Sequence, residues 1–178
     1  MKKLIRKGVF ETNSSSCHSI SVNESMVYND IPKLDFSGNI LLNSGEFGWE
    51  VETYHDFESK AAYLIVYIRD WCGDKKEEFK NILESIIKEV SGCESISYED
   101  NFWETEKVSY EETTWNSVTK QSEKTGEVRY YDRNLGEGYI DHQSVEDKDC
   151  HFLFENIETL KSFLFNSASY IETDNDNH

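Results

Sequence analysis

The chain has 178 residues, with 35 Asp and Glu against 18 Lys and Arg, a formal net charge of −17 and a pI near 4.6. That surplus excludes a nucleic-acid binder of the basic-patch kind, which holds phosphates with Lys and Arg, and an aromatic content of 13% argues against disorder. The length suits one domain, residues 1–178, large enough to bury a core, and the longest apolar stretch, Ala61 to Ile68, falls far short of the roughly 20 residues of a membrane span.

The basic start, Met1-Lys-Lys-Leu-Ile-Arg-Lys, runs into Gly8 without an apolar segment, so a secretory leader is not expected and the cytoplasm is the expected compartment. A short strand is expected at Val9-Phe10, a polar turn through Asn13 to Ser16, and a second strand from His18 to Val22. Another strand follows at Asn39 to Leu42, then a glycine-punctuated loop, Ser44 to Glu50. Helix spacing of three and four over Ala61, Leu64, Ile65, Ile68 and Trp71 predicts a helix from Phe57 to Trp71. A second helix is expected from an Asp74 cap, with Glu77 three positions later, to Val90, where Phe79, Ile82, Leu83, Ile86, Ile87 and Val90 share one face and Gly92 ends it. Beyond Cys93 the period becomes two, at Ile96 and Tyr98, Phe102 to Tyr110, Thr113 to Thr119 and Val128 to Tyr131, with a hairpin turn expected at Glu123 to Gly126. The chain closes with a strand expected at His151 to Phe154, a helix at Asn156 to Phe165 and a strand at Ser169 to Glu172. The resulting fold class is α+β: a mostly antiparallel sheet with about three helices packed on one face.

Cys17, Cys72, Cys93 and Cys150 are widely spaced, with no C-x-x-C pair, so free thiols are expected rather than a disulfide scaffold. Cys17-His18 and Cys150-His151 have the residue types of a four-ligand zinc site. Adjacent residues of a strand point to opposite faces, however, so neither dipeptide chelates readily and no metal or cofactor is expected.

Two clusters carry residue types suited to chemistry. Val9-Phe-Glu-Thr-Asn-Ser-Ser-Ser-Cys-His-Ser19 holds Glu11, Ser14, Ser15, Ser16 and His18, a set with hydroxyls, a carboxylate and a base. The same Asn and Ser residues also build tight turns by bonding nearby backbone. Gly136-Glu-Gly-Tyr-Ile-Asp-His-Gln-Ser144 brings Asp141 beside His142, and a glycine-rich turn entering a strand accounts for it equally. An enzyme built from these segments requires His18, Asp141, His142 and one of Ser14 to Ser16 to converge.

The acidity is itself a candidate site. Glu94, Glu99, Asp100, Glu104, Glu106, Glu111 and Glu112 stand against Lys107 alone in one short segment, and nine more carboxylates lie between Asp141 and His178 against Lys148 and Lys161. A solvated surface that keeps the protein soluble explains such charge. So does nucleic-acid mimicry: strand residues two apart lie about 6.6 Å from each other on one face, close to a phosphate step, so Glu104 and Glu106 would imitate one. Trp103 and Trp115 are candidate aromatic anchors for a protein partner, with core packing as the alternative. Lys2, Lys3, Arg6 and Lys7 oppose the rest of the chain and leave a weak direct DNA contact open.

Four stretches resemble a family of small bacteriophage and mobile-element proteins of gut bacteria, especially Firmicutes, whose chemistry is largely undefined. They are Arg6-Lys-Gly-Val-Phe-Glu-Thr-Asn-Ser-Ser-Ser-Cys-His-Ser19, Gly45-Glu-Phe-Gly-Trp49, Gly138-Tyr-Ile-Asp-His-Gln-Ser144 and Tyr170-Ile-Glu-Thr-Asp-Asn-Asp-Asn177. In the family the last usually carries glycine before Asn-Asp-Asn, where this chain has Asp174. Some proteins of this appearance are anti-CRISPR inhibitors of type II systems. The resemblance implies an inhibitor acting in the bacterial host cell, binding the CRISPR effector nuclease or another nucleic-acid-binding defence enzyme, without a membrane. An effector that holds its heteroduplex in a positively charged channel gives the carboxylates a target. The alternative is a small counter-defence or nucleotide-metabolism enzyme using the Glu11 to His18 loop with Asp141 and His142.

Overall fold

Residues 4–7, 17–48, 50–141 and 150–174 are described by the computed structural model. They fall into two units, Met1–Glu99 with Glu137–His178, and Asp100–Gly136. In chain order the first unit contains β1 (Leu4–Lys7), β2 (Cys17–Asn23), β3 (Asn39–Leu42), β4 (Glu46–Phe47), β5 (Glu52–Tyr54), α1 (Phe57–Trp71), α2 (Lys76–Ser91) and β6 (Ser95–Tyr98). The second unit is a ribbon of β7 (Thr105–Asn116) and β8 (Gln121–Asn134), after which the first resumes with β9 (Tyr139–Ile140), α3 (His151–Glu155), α4 (Ile157–Phe165) and β10 (Tyr170–Asp174). This is an α+β fold with mixed strand pairing and four α-helices packed against the strands. The strands β1-β2-β10-β5 form an antiparallel sheet, in which Ile171 stands opposite Ile20 on one side and Tyr54 on the other. The pairs β3-β6 and β4-β9 are parallel. Parallel partners need long connections, and here these are α1 and α2 between β3 and β6, and most of the chain between β4 and β9.

The helices form where periodicity and caps coincide. Asp56 caps α1 by accepting the Ser59 N–H at 2.8 Å. Ala61, Leu64, Ile65 and Ile68 of the expected inner face of α1 are buried, Trp71 at its end is half-buried, and Ala62, Tyr63, Val66 and Tyr67 are buried on its other sides. A helix apolar all round belongs in the interior, and α1 touches α2, α4, β3 and β9. The face of α2 that enters the core carries Phe79, Leu83, Ile86 and Ile87, and the Gly92 N–H closes it on the Lys88 carbonyl. Asn156 caps α4 through the N–H groups of Glu158 and Thr159.

Several expectations from the sequence are corrected: four α-helices form, not about three, β4 lies within the expected Ser44 to Glu50 loop, and the strands expected at Phe102 to Tyr110 and Thr113 to Thr119 are the single β7. Asp74 does not cap α2: it lies inside a 3₁₀ turn, Gly73–Lys75, closed by the Lys75 N–H on the Cys72 carbonyl at 2.8 Å. The segment His151 to Phe154 is helical, not extended. Its apolar run is too short for periodicity to decide, and the helical i, i+3 spacing lets His151 and Phe154 both meet Phe79, with ring centroids at 4.9 and 4.3 Å. The ribbon turns at Ser117–Lys120, not at Glu123 to Gly126. The Asn116 side chain accepts the N–H groups of Val118 and Thr119 there, an Asx turn. Gly126, at φ +81°, instead sits in a bulge where pairing jumps from Glu111–Val128 to Thr113–Lys124. Val9-Phe10 and the turn at Asn13 to Ser16 lie outside the described residues.

Candidate functional site

The described parts of four sequence stretches, Arg6 to Ser19, Gly45 to Trp49, Gly138 to Ser144 and Tyr170 to Asn177, are joined by the fold. β10, from the last, pairs along its whole length with Cys17 to Ser21 of β2, from the first. β4, from the second, pairs with β9, from the third, and the Asp141 N–H continues that ladder to the Phe47 carbonyl at 2.9 Å. His18 links the first stretch to the second. Its Nε2–H donates to the Gly48 carbonyl at 3.2 Å, which leaves Nδ1 to accept from the Tyr63 hydroxyl at 3.3 Å. Burial holds the His18 imidazole below its ordinary pKa of 6.5, with the Gly48 bond and the nearby Asp141 charge opposing that effect. His18 and Asp141, 123 positions apart in sequence and both buried, therefore share one locality.

Supporting residues fix this junction. Arg69 projects from α1 and donates to the carbonyls of Glu137 and Gly138 at 2.6 and 2.7 Å, while Asp70 holds its guanidinium from the other side. Gly138 has φ +81°, and a Cβ there would stand 2.6 Å from Ser44 Cβ and 2.8 Å from the Gly45 carbonyl oxygen. The second and third stretches thus approach as closely as glycine allows. Thr173 of β10 donates to the Glu50 carbonyl and accepts the Glu52 N–H.

A cleft of about 440 Å³ opens beside the junction, between β3, β4, β5 and the first turn of α1. A smaller one, about 250 Å³, shares Glu46, Glu50 and Tyr54 with it. Burial, together with the Glu52 carboxylate that accepts its hydrogen bond, pushes the Tyr54 hydroxyl up to about 12. Spacing alone did not single out Tyr63, Arg69 or the cleft glutamates. The available signal is Lys60 and Arg69, two cations that flank the apolar run Ala61 to Ile68.

Arrangement in the acidic segment is different. Glu94 and Glu99 belong to the first unit, and Glu99 accepts the Ser44 N–H at 3.0 Å. Asp100, Trp103, Glu104, Glu106, Glu111, Glu112 and Trp115 belong to the second. Cations of β8 lie across from three of these carboxylates: Arg133 pairs with Glu106, Lys124 with Glu111 at 2.7 Å and Arg129 with Glu112 at 2.9 Å. Glu104 precedes β7, so it does not share a strand face with Glu106. The whole unit carries eight acidic and five basic residues. Trp103 is half-buried edge-on to Phe102, and Trp115 is 64% exposed.

Glu11, Ser14, Ser15, Ser16 and His142 lie outside the described residues, as do Lys2 and Lys3, and Arg6 and Lys7 lie in β1. Cys150 is buried and its N–H donates to the Tyr67 hydroxyl. Among the described residues no three His, Cys, Asp or Glu side chains gather as metal ligands, and no helix is long and apolar enough to cross a membrane. Compared with models of protein families, with curated proteins and with solved structures, the chain matches none.

Proposed function

We propose that the protein acts by occupancy rather than catalysis: a phage or mobile-element inhibitor, working in the bacterial cytoplasm, that engages a nucleic-acid-binding defence enzyme, the type II CRISPR effector nuclease foremost. The β7–β8 ribbon is its contact arm. One observation carries this reading. The ribbon is two strands thick, every β8 residue before Asn134 is exposed, and Tyr110, Trp115, Val128, Tyr130 and Tyr131 stand in solvent. A two-stranded ribbon has no core of its own, and large side chains exposed on both of its faces, Tyr110 with Tyr131 on one and Tyr130 on the other, offer partner surface. The ion pairs across the ribbon shift the expected contact from bulk acidity towards Trp115, Tyr130 and, within the acidic segment, Glu104 and Asp100, which lie before the ribbon's paired strands.

Titration of the purified effector should reach full inhibition near one equivalent and weaken at high salt. Glu104→Lys with Trp115→Ala should weaken binding at least tenfold. Exchanging the pair as Glu106→Arg with Arg133→Glu keeps the ribbon's internal attraction and should retain most of it. Substoichiometric inhibition that leaves a modified effector would favour the enzyme reading, whose own support is the shared locality of His18 and Asp141. In that arrangement both His18 ring nitrogens are already engaged, so proton transfer would require one bond to open.

A further inference from the structure

We propose that the cleft between β3, β4, β5 and α1 receives an extended basic peptide segment of a partner protein, with an apolar side chain on its floor and a Lys or Arg side chain against its rim. The proposal concerns the first unit and does not rest on the contact arm.

Three features point the same way. The floor is apolar: the buried Leu42, Phe47 and Phe57 line it, and Leu41, 53% exposed, adds accessible apolar surface. The rim carries Glu46, Glu50, Glu52 and Glu58 against Lys33 alone. In contrast to Glu106, Glu111 and Glu112 of the arm, none of these four is in an ion pair among the described residues. Only Glu52 has a side-chain partner, the Tyr54 hydroxyl. Like charges lining a concave surface repel one another and focus a field that attracts cations. The third feature selects a peptide over a small cation. Among the described residues β3 pairs with β6 alone, and its consecutive residues Ile40, Leu41 and Leu42 all line the cleft, as an open strand edge does, while Glu52 and Tyr54 present one face of β5 to it. An open edge binds extended backbone, and alternate side chains then enter the groove or leave it. A cleft of about 440 Å³ has room for a few side chains, within the usual range for binding pockets.

The test uses the intact chain and a fluorescein-labelled Arg-Leu-Arg-Leu-Arg peptide, followed by fluorescence anisotropy. Saturable binding that weakens with salt is expected, with at least tenfold weaker binding of Glu-Leu-Glu-Leu-Glu. Glu46→Gln/Glu50→Gln/Glu58→Gln should lose tenfold or more for the basic peptide, while Glu104→Lys/Trp115→Ala should bind it as the parent does. If the triple variant does not fold, Glu50→Gln alone carries the test, together with amide shifts of the parent chain, which should map to Leu41–Phe47 and Ser59. No binding, equal binding by the triple variant, or shifts elsewhere would overturn the proposal. Spermine competing as strongly as the peptide would also overturn it, because a simple cation site needs neither the apolar floor nor the open edge of β3.

Discussion

His18 shows how one buried side chain ties distant segments together, and its protonation state has a measurable consequence. Burial lowers its pKa, so between the folded value and 6.5 the unfolded chain binds the proton more readily. Stability therefore rises with pH through that window and is lost as pH falls through it. Urea melts at stepwise lower pH should record the loss, and His18→Ala should flatten the slope while costing about 2–4 kcal/mol at neutral pH, since Tyr63 and the Gly48 carbonyl lose their partner. Lys60 makes the opposite end of the pH scale informative. It is 0% exposed in α1, donates to the Asn166 carbonyl at 3.0 Å, and lies 3.9 Å from Asp30. Burial lowers its pKa from 10.5 to about 8. The folded chain releases this proton before the unfolded chain does, so stability should gain as pH climbs from about 8 towards 10.5. Lys60→Met should remove that gain, as the difference between parent and variant melts would reveal.

Among the elements, the two constrained glycines separate space from conformation. Gly126 and Gly138 both have φ +81°, but nothing lies within 4 Å of a Cβ at Gly126, whereas one at Gly138 would collide with Ser44 and the Gly45 carbonyl. Gly126→Ala should cost about 1 kcal/mol through backbone strain alone. Gly138→Ala should cost several times more and part β4 from β9, as the drop in thermal midpoint and loss of amide protection at Phe47 and Asp141 would report. The ribbon explains why its turn was misplaced from sequence. Glu123 to Gly126 has hairpin-turn composition, but a positive-φ glycine serves a bulge equally well. Choosing between them requires knowing that Thr113 faces Lys124 and that the Thr125 hydroxyl donates to the Glu112 carbonyl. His151 to Phe154 was misread for a related reason, since its helical form depends on Phe79, far away in sequence.

Across the whole molecule, the two units invite a direct separation. The Leu135 N–H meets the Glu104 carbonyl at 2.9 Å, so the two ends of the arm are adjacent to each other. Replacing Glu104–Leu135 with a short Gly-Ser linker should keep the circular-dichroism melt of the remaining chain within a few degrees of the parent while abolishing effector binding. A collapse of the melt would make the arm part of the fold instead. The residue order alone determined α1, α2, α4, β3 and the α+β class, because periodicity and caps act within a few residues of each other. It also set the charge inventory, but not its meaning. Whether a carboxylate is neutralised by a cation, as Glu111 is by Lys124, or left facing a cleft, as Glu50 is, depends on strand partners. The joining of His18 to Gly48, and of Phe47 to Asp141, likewise belongs to tertiary structure alone. Those contacts cross 30 to 94 positions of chain, a distance over which packing, not local preference, selects neighbours.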